Sequence, residues 1–442
     1  MSGGEAASKA ARFEHIAAIL DQLSPAESSA RAVPARFWVP GRIEVLGKHT
    51  DYGGGRSLLC AVERGICVVA CANESPADEP RILVHDANSG ESAEFVFAPD
   101  VAPRPGHWSN YAITVARRIA SNFSARLRGA DVIFSSDLPP AAGVSSSSAL
   151  VVAVFQALSA VNDLTSTPEY RRDIVTCEDL AGYLGCVENG LNFKGLHGLL
   201  GVGTFGGSED HTAILCASTN SLSQFSFCPV TFEQSVTLPT EYCFIVGSSG
   251  VLAEKTGTAL EKYNRVSRRL AVALDIWRNT SGREAVAMGA AVRTSSTAPE
   301  RIRVALSEAI DADFPSESLV RRFDQFVLET EELIPSATDA LERRDLAAFG
   351  EIVARSQAAA ELALENQIPQ TIELVASARA LGAVAASAFG AGFGGSVWAL
   401  VRGEESEDFI RRWSAEYAAT FPDESTRAEF FPTRAGPAAI QL

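Results

Sequence analysis

The segment Leu138-Pro-Pro-Ala-Ala-Gly-Val-Ser-Ser-Ser-Ser-Ala-Leu150 decides how this chain of 442 residues is interpreted. Its glycine allows a tight backbone turn, and its four serines lead directly into a strongly apolar helix predicted over 147–161. One serine would suffice to cap a helix, so four serines after Pro-x-x-x-Gly indicate a loop whose amides, hydroxyls and helix N-terminus bind phosphate. The candidate nucleotide-binding residues here are Gly143, Ser145, Ser146, Ser147 and Ser148.

Length and composition limit the class of protein. A chain of 442 residues exceeds what one core usually fills, so two lobes with a cleft between them are expected, here 1–230 and 231–442. Apolar residues make up 46% and charged residues 21%, which is typical of a globular protein. The net charge of -16 opposes binding to nucleic acid or to an anionic membrane surface, so neither is an expected partner.

The eight cysteines contain no CxxC pair and lie mostly in apolar runs, which indicates free thiols in a reducing compartment. The first ten residues lack the hydrophobic region of a secretory signal. A charge-free stretch over 381–401 is long enough to cross a bilayer, but its glycines, alanines and serines favour helix, loop and strand instead. We therefore expect a cytoplasmic protein, and a monomer.

The periodicity along the chain predicts a mixed α+β protein rather than a doubly wound one. An amphipathic helix over 13–23 should end at Ser24-Pro25, and a glycine-rich loop is expected over 189–207. Strands are predicted over 36–45, 58–71, 81–85, 93–97, 130–135, 211–216, 242–247 and 396–401. Further helices are predicted over 108–121, 147–161, 170–188, 257–279, 317–343, 346–364 and 369–381.

Two further motifs flank the serine loop. The first is Gly41-Arg-Ile-Glu-Val-Leu-Gly-Lys-His-Thr-Asp-Tyr-Gly-Gly-Gly55, and the last is Gly390-Ala-Gly-Phe-Gly-Gly-Ser396. In order and spacing, the three segments resemble the motifs of the GHMP kinases, and those of galactokinases most closely. The serine loop is not a Walker A loop, because it lacks Gly-Lys-Ser/Thr, and the chain has no Gly-x-Ser-x-Gly elbow of a serine hydrolase.

The resemblance implies a two-lobed GHMP kinase fold, with an N-terminal lobe like ribosomal protein S5 domain 2 and an α/β C-terminal lobe. It implies an ATP-dependent sugar kinase that transfers the γ-phosphoryl group to the C1 hydroxyl of galactose or a similar sugar. ATP and Mg²⁺ would be its cofactors. Phosphoryl transfer requires alignment and charge neutralisation more than covalent chemistry.

The resemblance also assigns roles to single residues. Arg42 would stabilise the transferring phosphate, and Asp210, in Gly206-Gly-Ser-Glu-Asp-His211, would accept the proton of the sugar hydroxyl or orient it. Glu188 and Ser147 would hold Mg²⁺. The candidate sugar-binding residues are Glu44, Lys48, His49, Asp51, Gly207 and Tyr263, and Trp108 is the candidate on the adenine side.

The chain departs from the galactokinase pattern at Lys48, where the family has a glutamate, and at Glu44, where it has an asparagine. Lys48 indicates either a substrate with a carboxylate, such as galacturonate, or an ion pair with Glu44, Glu188 or Glu209. The 22 residues from Glu188 to Asp210 exceed the family spacing, which indicates an insertion beside the active site. Two alternative functions are a sugar- and ATP-binding sensor without activity and a kinase of a non-sugar alcohol.

Overall fold

The computed structural model describes residues 3–23, 33–139, 142–252 and 257–442. The strands of these ranges are β1 Ala35–Leu46, β2 Arg56–Ala72, β3 Arg81–Asp86, β4 Ser92–Val96, β5 Ala130–Ser136, β6 Ser221–Ser226, β7 Thr231–Thr237, β8 Tyr242–Ser248, β9 Ala385–Phe389, β10 Ser396–Arg402, β11 Glu429–Thr433 and β12 Ile440–Gln441. The helices are α1 Gly3–Leu23, α2 Ser109–Asn122, α3 Ser146–Asn162, α4 Pro168–Asp173, α5 Cys177–Asn189, α6 Glu209–Cys216, α7 Gly257–Ser281, α8 Met288–Val292, α9 Ala298–Ser307, α10 Ser316–Val327, α11 Ile334–Glu342, α12 Leu346–Ala363, α13 Pro369–Ala380, α14 Ser406–Thr420 and α15 Pro422–Ser425.

The first sheet has eight strands in the order β12-β1-β2-β5-β3-β4, with β6 pairing β2 and β7. The pair β3–β5 is parallel, and the other strand pairs are antiparallel. Because β7 pairs with β6 and β12 pairs with β1, this sheet takes strands from beyond residue 230. The division of the chain into 1–230 and 231–442 stays a prediction.

Helices cover both faces of the first sheet. On one face α3, which is buried along nearly its whole length, packs against β1 and β2, as expected of a helix with few polar residues. On the other face α1 buries Phe13, Ile16 and Leu20 against Trp38 and its neighbours. The predicted amphipathic helix is therefore confirmed, whereas its stop at Ser24-Pro25 lies outside the described residues.

The second sheet has the order β11-β8-β10-β9 and is antiparallel throughout. Helices α13 and α14 pack against it around Trp413, while α7, α8, α9 and α10 form a separate helical core. The charge-free stretch 381–401 follows α13 and contains β9, a glycine loop and most of β10. No helix in the described ranges is long and apolar enough to cross a membrane.

Three predicted elements differ from the structure. The strand predicted over 211–216 is wrong, because these residues form α6; a short apolar run does not distinguish a strand from a buried helix. The helix predicted over 170–188 is divided into α4 and α5, since Thr176 ends the β-branched run before it and caps α5 by accepting from the amide of Asp179. The helix predicted over 317–343 contains a π-helical turn at Leu328–Leu333.

Candidate active site

Arg42 and Asp210 form a buried ion pair at the centre of the candidate site. Arg42 lies on β1 and is 3% exposed, and Asp210 is the second residue of α6. Nε and Nη2 of Arg42 lie 2.8 and 2.7 Å from Oδ1 of Asp210. The Nη1 group donates to the carbonyl of Gly143, so the structure brings both predicted catalytic residues to the serine loop.

The surroundings keep the Arg42 guanidinium charged. Burial alone would lower its pKa, but the nearby carboxylates of Asp210, Glu209 and Glu44 outweigh that effect and raise the pKa above its usual range. A fixed cation at this place can stabilise negative charge that develops in a phosphoryl transfer.

The three sequence motifs meet at Arg42. A Cβ atom on Gly390 would lie 3.0 Å from the carbonyl oxygen of Gly143 and 3.3 Å from Nη2 of Arg42, so the glycine loop approaches closely only because it lacks side chains. The amide of Gly390 donates to Oε2 of Glu44 at 3.3 Å, and the hydroxyl of Ser396 donates to the carbonyl of Ala142.

Glu188 lies beside this ion pair, as predicted, but its serine partner is different. The hydroxyl of Ser148, not that of Ser147, donates to Oε2 of Glu188 at 2.9 Å, and it lies 3.3 Å from Oδ2 of Asp210. Nε2 of His211 lies 3.1 Å from the same Glu188 oxygen. Neighbouring serines at the start of α3 point in different directions, so only one of them faces Glu188. Ser147 lines the larger cavity described below.

The long segment between Glu188 and Asp210 folds back onto the C-terminal end of α5. The amide of Val202 donates to the carbonyl of Glu188 at 2.9 Å, and a Cβ on Gly201 would lie 2.2 Å from that oxygen. Helices α5 and α6 then pack side by side. The unusual spacing therefore does not separate Glu188 from Asp210.

A small polar cavity with about 490 Å³ of empty volume opens on one side of the ion pair. It is lined by Arg42, Glu44, His49, Asp51, Tyr52, Ser148, Glu188, Asn189, Thr204, Gly206, Gly207, Glu209, Asp210, His211, Tyr263, Gly390 and Ala391. Five of the six predicted sugar-binding residues are among them.

Lys48 is the exception. It is 2% exposed, lies outside the cavity lining, and its Nζ contacts the hydroxyl of Ser356 at 3.3 Å. Ser356 in turn donates to Oε1 of Glu329 at 2.8 Å, and Glu329 also accepts from the amide of Gly47 at 2.8 Å. The charge of Lys48 is thus directed towards the buried Glu329, and the structure does not bring Lys48 together with the other predicted sugar-binding residues.

His49 and Asp51 are held in place by contacts on both sides. Nδ1 of His49 lies 3.2 Å from the hydroxyl of Tyr52, and its Nε2 lies 3.1 Å from the carbonyl of Ala391, which can only accept. The proton is therefore placed on Nε2, with Tyr52 donating to Nδ1. The fully buried Arg322 donates to Tyr52 at 3.2 Å and to the carbonyl of His49, so α10 supports this turn.

Gly207 and Tyr263 complete the wall. A Cβ on Gly207 would lie 2.2 Å from Oδ2 of Asp51, and the same oxygen accepts from the amide of Glu209 at 3.0 Å. The ring of Tyr263 lies 5.6 Å from that of His49. Burial raises the pKa of Tyr263 well above its usual range, so its hydroxyl stays neutral.

A second and larger cavity, with about 1960 Å³ of empty volume, opens on the other side of Arg42 and Asp210. Its wall is partly aromatic, with Trp108 in edge-to-face contact with Phe134 and Tyr111 nearby. Three residues of the serine loop, Ser145, Ser146 and Ser147, also line this cavity. Ser145 has a positive φ of 62°, and its buried hydroxyl oxygen has no hydrogen-bond partner in the described ranges.

Sequence reasoning missed several lining residues. Glu209, Tyr52, Asn189 and Thr204 were not among the candidates, although all contribute polar atoms to the small cavity. The replacement of the galactokinase methionine by Glu209 is a sequence signal that could have identified one of them. The others follow only from the folding of the loop after α5.

Comparison with known protein families agrees with this arrangement. The GHMP kinases N terminal domain matches residues 110–185, the GHMP kinases C terminal domain matches 337–419, and the galactokinase galactose-binding signature matches 29–72. The fold and the three matches are similar to those of GHMP kinases.

Relatives and solved structures indicate which kinases the chain resembles. The chain is 24% identical over 387 residues to galactokinase of Clostridium beijerinckii, covering 87% of this chain and 89% of that protein. It is 27% identical over 377 residues to galactokinase of Roseiflexus sp., covering 84% of each. The crystal structure of Lactococcus lactis galactokinase complexed with galactose has a TM-score of 0.76 at 20% identity, covering 97% of this chain and 100% of that one. The crystal structure of Methanococcus jannaschii mevalonate kinase has a TM-score of 0.54 at 13% identity, covering 92% of this chain and 100% of that one. The chain thus resembles GHMP kinases, and galactokinases in particular, over most of its length.

Proposed function

We propose that this protein is an ATP-dependent sugar kinase that phosphorylates the C1 hydroxyl of galactose or a galactose-like hexose. One observation carries the proposal: the ion pair of Arg42 and Asp210 lies in the wall shared by a small polar cavity and a large, partly aromatic one. A group transferred between ligands in these two cavities would pass this pair. The galactokinase relatives supply the expected sugar class.

The small cavity fits a sugar. Its polar lining offers many hydrogen-bond partners to ring hydroxyls, and His49, Asp51 and Tyr263 are already oriented by neighbouring groups. Asp210 would accept the proton of the reacting hydroxyl or orient that hydroxyl. Arg42, which is ion-paired with Asp210, would hold that carboxylate in place and balance negative charge on the incoming phosphoryl group.

The large cavity fits ATP. The hydroxyl of Ser145 is buried without a partner, and α3 begins at Ser146, so the loop offers a free hydroxyl and a helix N-terminus to an anion. Trp108 and Tyr111 would border the base, since aromatic walls of this kind suit a planar ring.

Mg²⁺ is the second cofactor in this proposal. Glu188 and the Ser148 hydroxyl, 2.9 Å apart, are hard oxygen donors beside the ion pair, and Mg²⁺ needs few protein ligands because it retains water. When bound with ATP, Mg²⁺ would neutralise phosphate charge. Within the described ranges no group of three or more His, Cys, Asp or Glu residues forms a metal cluster, which is consistent with a shared protein and nucleotide site rather than an all-protein one.

The test is an ADP-release assay over a panel of aldoses with ATP and Mg²⁺. We expect release that depends on a galactose-like hexose, and ³¹P NMR of the product should show a phosphate ester on C1. Binding of ATP and sugar without ADP release would overturn the kinase in favour of a sensor. ADP release with mevalonate or homoserine but with no hexose would overturn the substrate class. A cytoplasmic location and a monomeric state remain part of the proposal.

A further inference from the structure

Two buried carboxyl groups line the sugar cavity. Glu44 on β1 is 2% exposed, and Glu209 at the start of α6 is 6% exposed. Burial raises the pKa of Glu209 well above its usual range, and the nearby carboxyl group of Glu44 adds to this effect. Each is also fixed from behind, Glu44 by the amide of Gly390 at 3.3 Å and Glu209 by the hydroxyl of Ser57 at 2.6 Å.

The pair retains acceptor capacity towards the cavity. Oε1 of Glu44 is buried and belongs to a residue that lines the cavity, yet no hydrogen-bond donor of the described ranges reaches it. A buried carboxylate oxygen without a donor is unfavourable. A ligand that supplies a donor at this point would therefore gain affinity.

The charges around the pair decide which ligand suits it. Among the described residues, Arg42 is the only Lys or Arg whose side chain lines the cavity, and it is already bound to Asp210. Lys48 lies behind the cavity at Ser356. The acidic residues that line the cavity are Glu44, Asp51, Glu188, Glu209 and Asp210. Within the described part of the chain, a carboxylate on the sugar would thus meet no uncommitted lysine or arginine at this cavity, whereas an ammonium group would meet several acids.

We propose that Glu44 and Glu209 form a specificity-determining subsite for a hydrogen-bond-donating substituent of the hexose, and that an ammonium group is the substituent it binds best. The inference rests on the proposed sugar-kinase function. An ammonium group brings a positive charge and several N–H donors to these two carboxyl groups, so its hydrogen bonds to them are charge-assisted. A hydroxyl group donates one hydrogen bond, so a hexose with a hydroxyl group at this position also binds. A uronic acid is excluded, which contradicts the hypothesis that Lys48 binds a substrate carboxylate.

The experiment compares kcat/KM for galactose, galactosamine and galacturonate by ADP release. In the wild type we expect the order galactosamine, then galactose, then galacturonate. In Glu44→Gln and in Glu209→Gln the ratio of galactosamine to galactose should fall about tenfold, the loss of one charge-assisted hydrogen bond. Wild-type turnover of galacturonate equal to that of galactose, or a ratio that changes less than about twofold in both variants, would overturn the proposal.

The matched control is Glu317→Gln, because the Glu317 side chain is 82% exposed on α10 and remote from the cavity lining. It should retain the wild-type ratio. Calorimetric titration of the same three sugars into the wild type and the variants separates two kinds of failure. Without any ADP release the kinase function fails, but the order of the three dissociation constants still supports or overturns the subsite.

A pH series on the wild type provides a readout that does not depend on folding of the variants. Burial raises the pKa of Glu44 to about 7, although Lys48 and Arg42 oppose this and Glu329 adds to it. Glu209, whose own pKa is raised, also faces Asp51 and Asp210. Between about pH 5.5 and 7 the amine stays charged while Glu44 increasingly loses its proton, so the ratio of galactosamine to galactose should rise. A flat or falling ratio would contradict the subsite.

Discussion

The two cavities that meet at Arg42 and Asp210 are built in opposite ways. The nucleotide-side cavity is large, and it is formed by aromatic side chains, a serine loop and a helix N-terminus. The sugar-side cavity is small, and it is formed by acids whose positions depend on a second layer of buried contacts. A substitution on the nucleotide side should therefore change ATP binding by altering the shape of the cavity. A substitution on the sugar side should act by changing a charge or by adding atoms where there is no space for them.

Asp210→Asn should have the largest effect, because this residue contacts both cavities. An amide cannot take the proton of the sugar hydroxyl, and it weakens the hold on Arg42. We expect kcat to fall by about 10³-fold or more. The measurement is ADP release at saturating ATP and sugar, with Asp408→Asn on α14 as the control. Near-normal turnover would refute Asp210 both as base and as orienting group.

Gly207→Ala should be next and should affect the sugar side alone. Its new methyl group would lie 2.2 Å from Oδ2 of Asp51, so Asp51 or the loop must move. We expect kcat/KM for the sugar to fall about 100-fold while KM for ATP changes less than about threefold. The same substitution at Gly282, which is outside both cavity linings and where a Cβ meets nothing within 4 Å, is the control for an added methyl group; its φ of 65° makes it a control for backbone strain as well. Equal losses for both substrates would remove the distinction between the cavities.

Trp108→Ala should show the reverse selectivity. Its ring contacts Phe134 and borders the large cavity, so its removal takes away part of the wall proposed for the base. We expect KM for ATP to rise about tenfold, with little change in KM for the sugar. Replacement by Phe should restore most of the affinity. An unchanged KM for ATP would show that the base binds elsewhere.

Lys48→Met should have the smallest effect on catalysis. Because Lys48 lies behind the cavity, KM for the sugar should change less than about threefold. The buried acids Glu44 and Glu329 lose a nearby cation, so the free energy of unfolding should fall by about 1–3 kcal/mol. Urea unfolding measures the second quantity. A large rise in KM with unchanged stability would return Lys48 to the substrate.

The fold and the centre of the site were predictable because they depend on local motifs. The family resemblance of the first motif and the serine loop placed Arg42, His49 and Asp51, and the observed hydrogen bonds bring these segments together. Hydrophobic periodicity also predicted most strands and helices. Such features depend on short-range patterns, which a single sequence contains.

The remaining features depend on contacts between distant parts of the chain. Whether Lys48 points into or behind the cavity is decided by Ser356, more than 300 residues later. The choice between Ser147 and Ser148 depends on the angle at which α3 leaves its loop. The presence of Glu209 in the same cavity wall as Glu44 depends on α6, which the sequence predicted as a strand. Local patterns do not contain this information.

The loop between α5 and α6 closes on itself, since the amide of Val202 binds the carbonyl of Glu188. Its outer part, 191–200, therefore contributes length without setting the distance between Glu188 and Asp210. The entropic cost of lengthening such a loop grows only with the logarithm of its length. A fluorophore or a small tag inserted there would report on occupancy of the adjacent cavity and leave the reacting groups in register.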